Sequence, residues 1–348
     1  MKSHEIILVL REDILSGRLA AGERLPPRTE LLQRFQTTPV TLQRAVDQLV
    51  RDGYLATADR SGTYVNDHLP FLSHYALVFP DPADLAGSTF YAAIRNEAVK
   101  LQQPTRRFSC YYGIDGHTDV PDYQRLVDDV RAHRLGGVIF ATNPFQIAQS
   151  PVLEEPGIPR VTVASWSETF ATPRIYPDLD AFLPRAFDFL VAQGRRRIAV
   201  ITMAHSEAAE QIARVQAVAA ARKLDVPPQW VQGGHPDAPA WAGQIVRLLM
   251  SAGKQERPDG LIITDDNLVE SATGGLVAAG MQAPHDVLVV AHTNFPWPAQ
   301  SQTPVTRLGY DVRRLLADAV TSLELQREGA PPPPMIFLPP VFEDELPA

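Results

Sequence analysis

A chain of 348 residues, 45% apolar and 21% charged, has material for two or three domains with real cores and is not disordered in bulk. Its single cysteine, Cys110, excludes an intramolecular disulfide framework and a multi-cysteine metal centre, and fits a reducing compartment. The net charge of −8 is unevenly spread: residues 1–68 hold nine basic and nine acidic residues, so the negative excess lies beyond them and the arginines of the head can still gather on one face.

The apolar run Ile6–Leu10 is too short for a signal core, and no stretch approaches the ~20 apolar residues of a membrane span. The expectation is a cytoplasmic protein with no membrane partner. Residues 4–16 place Ile6, Ile7, Leu10 and Ile14 on one helical stripe that stops at Gly17. A loop leads to a second helix at 28–35, with Leu31, Leu32 and Phe35 inward. In "TTPVTLQRAVDQLVRDG", Thr38 suits an N-cap and Pro39 the first helical position. Leu42, Ala45, Val46 and Leu49 then make an i, i+3, i+4, i+7 stripe that ends at Gly53. "YLATADRSGTYVND" reads as two short strands around a turn at Arg60–Gly62.

Three helices and a hairpin describe a winged helix-turn-helix, whose third helix enters the major groove by its N-terminal end. Thr38, Val40, Thr41, Gln43 and Arg44 offer the short hydroxyls, amide, methyls and guanidinium that base edges reward. The stretch from "GRLAAGERLPPRTELLQRF" through "TTPVTLQRAVDQLVRDGYL" to "GTYV" resembles the DNA-binding domain of GntR-type bacterial regulators over about residues 4–66. It departs from that pattern where Thr29 stands for an arginine that Arg28 precedes, where Pro39 follows the cap, and where Arg60 replaces the first wing glycine. The resemblance implies double-stranded operator DNA as partner, contacted by Arg28, the five helix residues above, Arg60 and Gly62.

After a linker at 69–73, apolar strands alternate with amphipathic helices. Strands are expected at 74–80, 106–114, 136–142, 158–165, 196–204, 260–266 and 286–293, and helices at 89–103, 122–133, 180–194, 206–223, 238–252 and 267–279. Such alternation implies an α/β body of parallel sheets covered on both faces, with a ligand at the carboxyl ends of the strands. "FLVAQGRRRIAVI", "RPDGLIITDDNLVESATGGLVAAG", "DVLVVAHTN" and "TPVTRLGYDVRRLLADAV" resemble the effector domain of LacI-type regulators, which shares its fold with periplasmic sugar-binding proteins. "APPPPMIFLPPVFEDE" resembles that family's closing strand.

A GntR-type head on such a body is the architecture of arabinose-responsive repressors. It implies residues 1–68 as the DNA-binding domain and 74–348 as a two-lobed effector-binding and dimerisation domain, hinged near 172–178, 292–298 and 325–332. Matched position by position, it implies effector contacts from Arg214, Asp265, Asp178, Thr293 and Asn294, with Phe90 and Tyr91 at the start of the first body helix. Thr293 and Asn294 replace an aspartate pair, and Asp266 matches the family's usual aspartate beside Asp265.

No metalloprotease, nucleophile-elbow or phosphate-loop motif is present. The expectation is therefore no enzyme, no cofactor and no metal, but a homodimeric repressor controlled by a sugar or related metabolite. The alternative is a metabolite-binding protein or sugar-active enzyme with no DNA role.

Overall fold

The computed structural model describes residues 1–58, 62–67, 69, 72–82, 88–103, 106–163, 172–204 and 207–347. The chain divides into two compact units. The first holds Met1–Ala83, Ala98–Arg174 and Ala319–Pro334, and the second Asp84–Glu97, Ile175–Asp318 and Met335–Ala348.

The first unit begins with α1 (Ser3–Leu15), α2 (Arg28–Phe35), α3 (Pro39–Arg51) and an antiparallel hairpin of β1 (Leu55–Ala58) and β2 (Gly62–Val65). α3 starts where the sequence indicates: Thr38 Oγ1 accepts the Thr41 N–H at 3.3 Å and Pro39 occupies the first turn. It stops at Gly53, whose φ of +77° a side chain would resist. Ile6, Leu10, Phe35, Leu42, Leu49, Tyr54 and Val65 bury one core beneath these elements. The loop before α2 joins the hairpin through Leu25 N–H to Thr63 O at 2.9 Å and Val65 N–H to Glu23 O at 2.8 Å. Asp13, 2% exposed, is held at 2.7 Å by both Arg18 and Arg34.

The same unit continues with β3 (His74–Val78), the end of α4 (Thr89–Lys100), β4 (Arg107–Tyr111), α5 (Pro121–Arg131), β5 (Gly137–Phe140), α6 (Pro151–Glu154) and β6 (Arg160–Val163). Its strands run parallel in the order β4-β3-β5-β6. The head is docked on this lobe: the Tyr54 hydroxyl donates to the His133 carbonyl at 2.6 Å, and Arg11 is only 4% exposed.

The second unit contains all but the first residue of β7 (Arg174–Pro177), then α7 (Leu179–Ala192), β8 (Ile198–Met203), α8 (Ala208–Ala220), β9 (Val231–Gly234), α9 (Ala240–Leu249), β10 (Gly260–Ile263), α10 (Val269–Ala278), β11 (Leu288–Phe295) and β12 (Thr306–Asp311). α11 (Val312–Arg327) then leads out, and β13 (Met335–Leu338) and β14 (Val341–Phe342) close the chain. One sheet runs β14-β12-β11-β10-β8-β9, parallel except for β14. Alternate residues serve opposite faces: Val200, Ile262, Val290 and Leu308 meet α7 and α8, while Ile201, Ile263 and Val289 meet α9 and α10. That two-sided burial is why these strands are continuous apolar runs.

Some details differ from these expectations or add to them. Residues 292–298 lie inside the second unit, and the stretch that enters it at Ile175 leaves it at Asp318, within α11. The closing stretch forms two strands, because Pro339 and Pro340 interrupt ladder pairing. β7 and β9 were not anticipated, since "RIYP" and "VQGG" carry too little apolar character to signal strands. The linker at 69–73 is described only at Leu69, which packs on the head core, and at 72–73.

Candidate functional site

Two sites emerge, one in each unit. In the head, the α3 N-terminus presents Val40, 62% exposed, beside Thr38, Gln43 and Arg44, which are exposed, and Thr41, which is half-buried. Thr38 and Thr41 share a hydroxyl–hydroxyl hydrogen bond of 2.9 Å that fixes both rotamers. Gln43 donates to Asp47 at 2.8 Å, so its amide is partly committed. Arg28 Nη2 donates to the Pro39 carbonyl at 2.9 Å, tying the start of α2 to the first turn of α3. Arg44 makes no hydrogen bond or ion pair among the described residues. Gly62, at φ +121°, lies at the hairpin tip, and Arg60 lies outside the described residues.

In the second unit, a polar cluster crowns β10, β11 and β12. Asp265 caps a short turn, its Oδ1 accepting from Asn267 N–H at 2.9 Å and from Asn267 Nδ2 at 2.8 Å. Asn267 Oδ1 accepts from Thr89 N–H at 2.9 Å and Thr89 Oγ1 at 3.1 Å, which sets Phe90 and Tyr91 next to this turn. Asp266, 3% exposed, accepts from Asn294 Nδ2 at 2.6 Å and lies 3.7 Å from His292 Nδ1. Thr293 Oγ1, Asn294 Oδ1, His292 Nδ1 and Tyr310 Oη are buried without a hydrogen-bond partner among the described residues. Orphaned polar atoms at strand ends are costly unless something satisfies them.

The two carboxylates titrate in opposite directions. Burial raises Asp265, and the charge of Asp266 adds to it, against relief from His292 and Asn267. Burial alone would raise Asp266 as well, but His292, Thr89 and Asn294 outweigh it and hold its carboxyl below the usual range. Burial pushes the Tyr310 phenol up, reinforced by Asp178 and Tyr176.

The sequence-derived set separates into two groups. Asp265, Thr293, Asn294, Phe90 and Tyr91 belong to the cluster just described. Asp178 is the N-cap of α7, accepting the Ala181 N–H at 3.0 Å. Arg214 is paired with Asp180 and donates to Leu179 O at 3.4 Å. Both partners of that ion pair are open to solvent, 40% and 70% exposed, so it costs little to exchange. Sequence reasoning missed Asn267, Thr89, His292 and Tyr310. A third polar residue after "ITDD" was the available signal for Asn267. Tyr310 sits at the end of a short strand whose pattern gave none. No group of three or more His, Cys, Asp or Glu among the described residues could hold a metal ion.

The fold therefore joins a winged helix-turn-helix head to a two-lobed body of the periplasmic-binding type. Residues 2–65 match the profile of the gntR family of bacterial regulatory proteins, and residues 187–343 that of the periplasmic binding protein-like domain. The chain is 31% identical over 68 residues to the "Probable fructoselysine utilization operon transcriptional repressor" of Escherichia coli strain K12, a match covering 18% of this chain and 28% of that protein. The chain thus spans under a third of the length of the curated relatives it matches. Among solved structures it is similar to a LacI family transcriptional regulator from Lactobacillus casei with bound glucose, at 19% identity and TM-score 0.56, over 78% of this chain and 98% of that one. It is also similar to the transcriptional regulator CelR in complex with cellobiose, at 19% identity and TM-score 0.58, over 88% and 90% of the two chains. At such identities the likeness carries the fold.

Proposed function

We propose that this chain is a sequence-specific DNA-binding transcriptional regulator, a repressor whose operator affinity is set by a small carbohydrate or related metabolite held by the body. The observation that carries the reading is the first turn of α3. It is capped by Thr38, anchored by Arg28, and leaves Val40, Thr41 and Arg44 outward on a gntR-type head. The orphaned polar atoms above β11 and β12 support the effector half: a polyol supplies the donors and acceptors that Thr293, Asn294 and Tyr310 lack. The sugar-bound regulators of similar fold point the same way.

In this reading residues 1–68 bind DNA and 74–348 bind effector, with Asp265, Thr293 and Asn294 on the hydroxyls, Phe90 or Tyr91 on the ring face, and Arg214 released from Asp180 to clamp the ligand. The protein works in the cytoplasm as a homodimer, because a two-fold protein matches a pseudopalindromic operator. The catalytic alternative has no motif behind it.

The test has two stages. Selection from random duplexes should enrich one pseudopalindrome, and a thermal-shift screen of sugars should give one stabilising class. Operator affinity is then measured with and without that ligand. A head that enriches no duplex while the body binds a metabolite would leave only the metabolite-binding alternative.

A further inference from the structure

The head has more arginines than its recognition helix can use, and most are committed. Arg11 is buried, Arg18 and Arg34 hold Asp13, Arg28 holds the Pro39 carbonyl, and Arg51 donates to Gln48. Two exposed arginines remain whose side chains make no hydrogen bond or ion pair among the described residues: Arg44 on α3, and Arg24. Arg24 lies just outside the helix-turn-helix, in the loop before α2, and its backbone bridges Tyr64 of the hairpin. Its guanidinium lies over Gly62: a Cβ on that glycine would meet Arg24 Nε at 2.8 Å and Nη2 at 3.2 Å. A larger residue at the wing tip would displace the cation, so Gly62 is a seat for Arg24 as well as a turn residue.

Arg24 and Arg28 flank a groove of about 520 Å³ that also reaches Gln43, Gly62 and Thr63 over an apolar floor. No acidic side chain among the described residues lines it. The head is neutral overall, so a carboxylate-free groove with two guanidiniums on its rim is a local choice rather than a consequence of bulk charge.

We infer that this groove takes a phosphate of the DNA backbone, clamped by Arg24 from the wing side. The inference rests on the DNA-binding reading above and adds to it a contact outside the recognition helix. A guanidinium matches phosphate geometry with paired donors. Its pinning to the hairpin through Leu25 N–H and Thr63 O fixes where the phosphate must lie relative to α3. Such a contact sets register and orientation and carries no sequence information.

The experiment titrates the full-length protein with its selected operator and with a scrambled duplex across a salt series. The variants are R24A and R24K, with thermal melts to show that both remain folded. Arg24→Ala should flatten the slope of log affinity against log salt by about one, the signature of one lost phosphate contact, and weaken both duplexes by the same factor. Arg24→Lys should keep the slope. Equal slopes and affinities for R24A and wild type overturn the inference. So does a loss confined to the operator, which would make Arg24 a base reader. If the wild-type protein selects no duplex, the DNA-binding reading fails first and is seen to fail separately.

Discussion

Position 294 is an asparagine on β11, and its role is set by a carboxylate just beyond the neighbouring strand β10. Asn294 Nδ2 donates to Asp266 at 2.6 Å in a buried setting. Asp266 is held below the usual carboxylate range by such donors despite burial, so its contribution to stability is full at neutral pH and is lost as pH falls through its folded-state value. Asn294→Asp would put two carboxylates in contact. The new group would be raised, its penalty complete at neutral pH and relieved in acid. We expect N294D to lose ~1–3 kcal/mol in urea titrations at pH 7, and the gap to wild type to close as pH is lowered. A constant gap across pH would mean that Asp266 does not hold its charge in the native state.

At the scale of single elements, α3 was the most legible part of the chain. Its cap, proline, apolar stripe and terminal glycine agree with one another, and Thr38 to Arg51 came out as the sequence indicates. Thr38→Ala removes the bond to the Thr41 N–H and to its hydroxyl. It should cost about 1 kcal/mol of stability by thermal or urea unfolding, while Thr38→Ser costs a few tenths at most. Equal losses for both would assign the effect to lost packing. β9 shows why other elements were illegible: "VQGG" is a strand because Val231 to Gly234 pair with Val200 to Met203. Gly234 is also confined by Leu268 and Ala242. Tertiary pairing overrides a weak local pattern, and the pattern alone cannot reveal the partner. The same holds for the polar cluster above β10 and β11. Asp265 and Asn294 were reached through the resemblance to LacI-type effector domains, matched position by position. The link from Thr89 through Asn267, 178 residues apart, was not, because it exists only once α4 and the β10 turn have met.

Across the molecule, the docking of the head on its lobe has a pH signature. His133 sits under the Tyr54 hydroxyl, and burial together with the charge of Arg11 pushes its imidazole down to about 4. An unfolded chain binds the proton near 6.5, so between that pH and about 4 the unfolded state takes up a proton that the folded state refuses. Stability should therefore fall as pH drops through this window. His133→Asn tolerates the φ of +51° and removes the titrating group. It should flatten the pH dependence of the melting temperature between pH 6.5 and 4. An unchanged acid slope would place the titration elsewhere.

The docked head also bears on how an effector can act at a distance. A ligand shifts operator affinity only by its differential affinity for two states of the protein. A head on a slack tether would register no such difference, whereas one held by a buried hydrogen bond moves with its lobe. Tyr54→Phe removes the bond to the His133 carbonyl and keeps the ring in the head core. We expect Y54F to bind the sugar class found by screening as wild type does. Its ligand-free operator affinity should stay within about twofold, and its response should shrink from the ~5–150-fold typical of such coupling towards none. Arg214→Ala should fail differently: ligand affinity drops because the clamp is gone, and at saturating ligand the operator shift returns. Measuring operator affinity against ligand concentration for all three proteins separates a shifted midpoint from a reduced amplitude. A full-amplitude response in Y54F would show that the effector signal reaches the DNA without the Tyr54–His133 contact.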